Sequence, residues 1–270
     1  MSRCRLCQGA TREVWRHLVL GKYDAGYFEC ADCGSLQTET PYWLDEAYSI
    51  GGAGFDTGAC QRSIDSALAM SALLEGLGFR KDRECLDFGA GIGLYARMMR
   101  DRGWNYFAYE TYNAPYYMDK FTAEPGSRTW GLVSAFEVFE HLPDPAQTLD
   151  LILGAAEDYV FFSTELFEGQ GRDWHYPNPA EGQHVFFYSR KALESVARGH
   201  GFEFHDLGFF KCFLRPSLKE RLALIKPQDF GRQVMEALLR HQRDPYRYAA
   251  RDHAQLLNAG PVAGVTRPRS

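Results

Sequence analysis

The chain has 270 residues, 45% of them apolar, and a formal net charge of −5. That length holds one sizeable α/β domain with a smaller appendage, and the negative balance excludes a global pull toward nucleic acid. No run approaches the roughly 18 apolar residues of a membrane span, and Met1-Ser2-Arg3-Cys4 lacks the apolar core of a signal peptide.

A cytoplasmic location is therefore expected, with the seven cysteines acting as thiols or metal ligands rather than disulfides. Cys4-x-x-Cys7 and Cys30-x-x-Cys33 are two paired knuckles separated by 22 residues. Each turn lets two thiolates converge on one ion, and two turns complete a tetrahedral Zn²⁺ site. Four thiolates leave no open position, so the metal would be structural. Four buried free cysteines are the bland alternative, which the doubled spacing disfavours. A redox pair would normally occur once, near a βαβ pattern. Cys60, Cys85 and Cys212 stand alone and are expected to be small core residues.

Glu13–Leu20 and Tyr27–Cys30 read as strands. Residues 1–40 are accordingly expected to form a zinc ribbon, too small to fold on its own core, so that the metal supplies the folding free energy. Residues 41–60 are aromatic and then glycine-rich, through Gly51-Gly52-Ala53-Gly54-Phe55. They suit either a linker or a lid, with Tyr48 and Arg62 as candidate lid residues. Residues 61–79 read as an amphipathic helix with Ile64, Leu68, Leu73, Leu74 and Leu77 on its inner face.

The region 61–215 reads as the main domain. Glu84–Phe88 is an apolar strand, followed by the turn Gly89-Ala90-Gly91-Ile92-Gly93, whose glycines allow positive φ and close approach to a ligand. Leu94 stands where a dinucleotide-type motif would place its third glycine. A helix over Leu94–Arg102 presents its N-terminus to the pocket. The strand Tyr106–Tyr109 then ends in Glu110, which can accept both hydroxyls of a ribose. The arrangement predicts a pocket for a nucleoside-bearing cofactor at the carboxyl edge of a parallel sheet. Nucleotide-binding dehydrogenases share it.

Downstream, Gly131-Leu132-Val133-Ser134-Ala135-Phe136-Glu137-Val138-Phe139-Glu140-His141-Leu142-Pro143-Asp144-Pro145 is a buried strand ending in Glu-His-Leu-x-Asp-Pro. A helix over Ala146–Glu157 and a strand at Tyr159–Ser163 follow. With this segment the chain resembles the class I S-adenosylmethionine-dependent methyltransferases over about residues 60–210. A subgroup of these enzymes carries an N-terminal double Cys-x-x-Cys domain and acts on sugars and other small molecules.

The resemblance implies a Rossmann-like, doubly wound α/β fold with a seven-stranded sheet and S-adenosylmethionine as cofactor. It implies that Asp87, Gly89, Ala90, Gly91 and Gly93 form the cofactor loop and that Glu110 is the ribose-binding acid. Phe136, Glu137 and His141 would lie near the methionine end of the cofactor. The stretch from Glu110 to Trp130 is short and offers no adenine-reading residue.

The acceptor pocket is expected in the segment from Trp174 to Ser189, after the fifth strand. In the sugar methyltransferases that the chain resembles, a histidine in a similar setting acts as general base, and His184 is the match. A structural histidine is the competing reading. Gln183 precedes it where the carbon-methylating enzymes have Glu. Trp174, His175 and Tyr176 are candidate substrate contacts, and no spaced carboxylate set demands a catalytic metal.

Ser189–Gly199 reads as a helix, with Leu193, Val196 and Ala197 buried, and Phe202–Leu214 as the last strand pair. Residues 216–270 form a helical extension, with Leu218, Leu222, Ile225, Val234, Leu238 and Leu239 on its apolar face, and a loose tail. A monomer or homodimer is expected. The function expected is O-methylation of a sugar, nucleotide-sugar or glycan hydroxyl, in carbohydrate biosynthesis. The alternatives are carbon methylation of a keto-sugar, ribosomal RNA methylation with the ribbon gripping RNA, and a non-catalytic binding protein. Arg3, Arg5, Arg12, Arg16 and Lys22 are balanced by Glu13, Asp24, Glu29, Asp32 and Glu39, which leaves the ribbon without a nucleic-acid footprint.

Overall fold

The computed structural model describes residues 3–50 and 57–258. The glycine-rich stretch Gly51 to Phe55 and the tail from Gly260 onward lie outside the described residues.

The N-terminal part forms β1 (Thr11–Val19), β2 (Tyr23–Cys30) and β3 (Leu36–Thr38), then helices α1 (Leu44–Ile50) and α2 (Ala59–Gly76). The next elements are β4 (Glu84–Phe88), α3 (Leu94–Asp101), β5 (Asn105–Tyr109), β6 (Trp130–Ala135), α4 (Pro145–Ala155) and β7 (Ala156–Phe162). They are followed by β8 (Phe186–Phe187), α5 (Arg190–Gly199), β9 (Glu203–Asp206) and β10 (Lys211–Leu214). Helices α6 (Lys219–Ala223), α7 (Pro227–Arg243) and α8 (Arg247–Asn258) close the described chain.

The large sheet has the order β5-β4-β6-β7-β10-β9. Its first four strands are parallel, and β10 runs antiparallel to both neighbours. Alternation along each strand feeds two cores. Leu86, Phe88, Val133, Val160 and Phe162 pack under α4 and α5, whereas Cys85, Tyr106, Leu132 and Phe161 pack under α2 and α3. Asp144 accepts a hydrogen bond from the Gln147 amide and Pro145 opens the helix, which fixes the start of α4.

The sheet has six strands, not the seven expected. Between β5 and β6 the chain makes only an isolated parallel bridge, Ala108 to Thr122. Short 3-10 turns at Tyr116–Met118 and Pro125–Ser127 occupy the remaining length. Proline supplies no ladder donor, and Pro115 and Pro125 bracket the segment.

Other expectations are corrected in detail. Leu73, Leu74 and Leu77 are buried as expected, but Ile64 is exposed and Leu68 half-buried, and Ala67 and Met70 complete the inner face of α2. Cys60 is exposed, whereas Cys85 and Cys212 are core residues. Leu239 is exposed on α7. A further helix, α8, follows it and is tied down by Asp252, which accepts from Arg100 at 2.8 and 2.9 Å and from Arg97 at 2.8 Å. No helix among the described residues is long and apolar enough to cross a membrane.

The cysteine-bearing strands form a second sheet, β1-β2-β3-β8, whose last strand comes from residues 186–187. The Ser189 hydroxyl accepts from the Ala192 amide, which caps α5, and donates to the Cys33 carbonyl, while the Ser189 amide donates to the Ser35 hydroxyl. Cys4, Cys30 and Cys33 thereby share one apolar core with β6, α4 and α5.

Candidate active site

The turn after β4 is held open by its backbone. Gly89, Gly91 and Gly93 all have positive φ, and Gly93 starts α3. The Gly89 and Ala90 amides donate to the Tyr109 carbonyl at 2.9 and 3.0 Å, which binds the turn to the end of β5. A Cβ at Gly89 would meet Val138 at 2.6 Å, whereas one at Gly91 would meet nothing within 4 Å. Gly91 therefore faces open space beside the helix N-terminus.

Glu110 sits opposite that space. Its Oε2 accepts from the Gly91 amide at 2.7 Å, and its Oε1 accepts from the Thr111 and Tyr112 amides at 2.8 Å each. A carboxylate has about four acceptor positions, so Oε2, with one amide donor, keeps a free one. Beneath the turn, Asp87 is buried and accepts from the Ser134 hydroxyl at 2.8 Å. Burial raises its carboxyl to about 7, against the opposing effect of Ser134.

The end of β6 supplies the other wall. Phe136 turns into the second core, stacked on Phe210 and edge-on to Tyr95. Glu137 has φ +54, a conformation that non-glycine residues seldom adopt. It is held there by Ser163, whose hydroxyl accepts from the Glu137 amide and donates to its carboxylate, both at 2.7 Å. His141 meets the Tyr48 hydroxyl at 3.3 Å through Nδ1 and lies edge-to-face with His184, ring centroids 4.8 Å apart. Burial lowers His141 to about 3, and the neighbouring His184 adds to the shift.

His184 has a fixed tautomer. Its Nδ1 lies 2.6 Å from the Tyr176 carbonyl oxygen, which can only accept, so Nδ1 carries the proton and Nε2 the lone pair. Burial lowers its pKa from the ordinary value. The ring also leans on Tyr176, whose hydroxyl pairs with Thr164 at 3.2 Å.

Of the expected site residues, the fold brings together His141, His184, Tyr176 and Tyr48. Trp174 packs among Phe167, Tyr176 and Phe187 against the cysteine-bearing sheet. His175 is exposed and pairs with Glu165 at 3.2 Å. Arg62 is exposed near the start of α2. Gln183 donates to the Ala47 carbonyl at 3.1 Å and so anchors α1.

Two features were not foreseen. Tyr48 stacks on Tyr112 at 4.9 Å and 10°, joining the Glu110 loop to the histidines. Glu140 lies fully buried beside His141 and His184. The adjacent Glu-His pair in the sequence was a signal for it, but nothing local shows that His184 joins them.

The four N-terminal thiols also converge. Cys4 and Cys33 sulfurs are 3.8 Å apart, Cys7 and Cys30 sulfurs 3.5 Å apart, and all four lie within 4.8 Å of one another.

A six-stranded sheet with β10 reversed, a glycine turn under a helix and an acid at the end of the next strand define a class I S-adenosylmethionine-dependent methyltransferase. The chain belongs to the methyltransferase domain family, which it matches over residues 61–207, more than half its length. No curated protein matches it in sequence.

Among solved structures, it is similar to magnesium protoporphyrin IX methyltransferase (ChlM) of Synechocystis with bound S-adenosylhomocysteine, at 12% identity and TM-score 0.45, covering 65% of this chain and 97% of that one. It is also similar to Streptomyces venezuelae DesVI, at 10% identity and TM-score 0.43, covering 64% and 98%. An O-methyltransferase family protein of Burkholderia thailandensis gives 10% identity and TM-score 0.43, covering 60% and 61%.

Proposed function

We propose that the protein transfers the methyl group of S-adenosylmethionine to a hydroxyl of a small molecule, most simply a sugar, nucleotide sugar or glycan unit. The observation that carries this reading is His184: its Nδ1 proton is committed to the Tyr176 carbonyl, leaving a basic Nε2. A low pKa keeps the ring neutral at ordinary pH. Nε2 takes the hydroxyl proton as the oxygen bonds to the methyl carbon, and the electron pair of the broken carbon–sulfur bond stays on sulfur. Base catalysis of this kind contributes about 10²–10⁴-fold, and alignment of oxygen with methyl supplies much of the rest.

On this reading Asp87, Gly89, Ala90, Gly91, Gly93 and Glu110 cradle the cofactor, and Glu137 and His141 border its methionine end. Phe136 supports that edge from the core side. Tyr176 lines the acceptor pocket. Gln183 is engaged by the Ala47 carbonyl, which speaks against a second proton-abstracting group beside His184 and hence against carbon methylation.

The four cysteines would hold a structural zinc. Tetrahedral ligands at about 2.3 Å from the ion lie about 3.8 Å apart, and the closest pairs here are 3.5 and 3.8 Å. The metal would fix the cysteine-bearing sheet; it has no part in the transfer.

The test is transfer of labelled methyl from S-adenosylmethionine into a cell extract fractionated into small molecules, polysaccharide, RNA and protein. Label in the small-molecule or polysaccharide fraction, lost in His184→Ala, is expected. Label in RNA would replace this reading with nucleic-acid methylation.

A further inference from the structure

Glu140 is fully buried, yet neither carboxylate oxygen has a hydrogen-bond partner among the described residues. An unpartnered buried carboxyl costs several kcal/mol, roughly, unless something compensates it. Around it stand two imidazoles and the Tyr176 and Thr164 hydroxyls, which favour its charged form against burial. One carboxylate oxygen and one ring nitrogen from each of His141 and His184 all lie within 4.8 Å of one another. For His184 the available nitrogen is Nε2, because Nδ1 donates to the Tyr176 carbonyl. A backbone carbonyl on the far ring nitrogen is the usual outer partner of a metal-bound histidine.

We propose that Glu140, His141 and His184 hold a divalent transition-metal cation at the acceptor end of the cofactor cleft, separate from the four-cysteine site. One carboxylate and two imidazoles suit Mn²⁺, Fe²⁺, Co²⁺ or Zn²⁺ and offer no soft ligand. Ligands about 2.1 Å from an ion stand about 3–4.2 Å apart, so the cluster closes by less than ~1–2 Å through side-chain rotation. The Tyr48 hydroxyl, 3.3 Å from His141 Nδ1, gives way to the ion at that nitrogen. Three protein ligands leave positions open for an acceptor oxygen.

The inference rests on the reading of this pocket as the acceptor site and changes the task of His184 within it. With the cation bound, the Nε2 lone pair is a ligand's, and the acceptor hydroxyl, acidified by the ion, loses its proton to solvent. The bonds made and broken in the transfer are otherwise the same.

The experiment uses the full chain with its cysteine-site metal in place. Mn²⁺, which thiolates hold poorly, is titrated and followed by electron paramagnetic resonance. We expect one Mn²⁺ taken up per chain. Glu140→Gln, which keeps the shape of the side chain, should weaken uptake at least about tenfold, and so should His184→Ala. Zinc content and S-adenosylmethionine affinity serve as folding controls and should be unchanged. No Mn²⁺ uptake, or equal uptake by Glu140→Gln, overturns the inference. Methyl transfer that needs His184 but no second metal overturns it too, while upholding His184 as the base. Uptake lost in Glu140→Gln supports the cation site whatever acceptor is found.

Discussion

The Tyr48 hydroxyl lies 3.3 Å from Nδ1 of His141. A side chain from α1, next to the cysteine-bearing sheet, therefore enters the cleft at the end of β6. Trp43 donates to the Gly182 carbonyl at 2.8 Å and Gln183 to the Ala47 carbonyl, so the start and middle of α1 are tied to the loop before His184. The same tyrosine stacks on Tyr112, two residues beyond Glu110. One ring thus joins the Glu110 loop to the histidine cluster.

Glu110→Ala should weaken S-adenosylmethionine binding at least about tenfold, since a charge-assisted hydrogen bond contributes roughly 1.5–3 kcal/mol. Calorimetric titration measures it, with metal content as the control. Unchanged affinity would remove Glu110 from the ribose.

Gly91→Ala separates binding from folding. Its φ of +53 makes alanine cost about 1–2 kcal/mol of stability, and the new methyl meets no protein atom within 4 Å. Cofactor affinity should fall at least about tenfold, or 1.4 kcal/mol. A variant that binds normally would mean that the cofactor does not approach this backbone.

His184→Ala should lower turnover at least about tenfold, with cofactor affinity within a factor of about two of the parent. Near-normal turnover would make the ring a structural support for the Tyr176 loop.

Asp87 gives a pH dependence. Its folded pKa, about 7, lies above the unfolded value of 3.8 because burial disfavours the anion. The protonated form is therefore the stabilising one, and the contribution is full below pH 3.8 and is lost as pH rises toward 7. Asp87→Asn escapes this loss, so relative to the parent it should gain stability between pH 4 and pH 8, by up to ~4 kcal/mol. Denaturant unfolding at the two pH values measures the difference. A gap independent of pH would show that Asp87 ionises without penalty.

Stripping the cysteine-bound metal with a mercurial and a chromogenic chelator should release one zinc per chain and lower the melting temperature by about 10 °C or more, at about 2–4 °C per kcal/mol. Because Ser189 joins Cys33 to the start of α5, the loss should extend into the methyltransferase sheet. A protein that yields no metal would leave the four thiols as packing residues.

Much of the sheet was legible because its signals are local. The glycine turn, the acid at the end of β5 and the Asp144-Pro145 helix start each depend on a few adjacent residues. A seventh strand was expected from resemblance alone, and the short stretch from Glu110 to Trp130, which offered no obvious strand, forms only 3-10 turns and an isolated bridge. The cysteine spacing was legible, but not the fourth strand of its sheet, which lies some 150 residues further along. Glu140 escaped notice because a glutamate after an apolar strand normally reaches water. It is enclosed by residues of a distant segment, among them Tyr176 and His184, and Val185 donates its amide to the Glu140 carbonyl.

The shared strand also sets an order of assembly. Three strands of the cysteine-bearing sheet are made before any strand of the large sheet, yet the smaller sheet cannot be completed until Phe186 and Phe187 leave the ribosome. Until then β3 has an unpaired edge, the kind of surface that recruits other chains. Closing that edge seats β8, the cap of α5 and the segment carrying His184 together. A nascent chain thus completes its cysteine-bearing sheet and its histidine cluster in one late event.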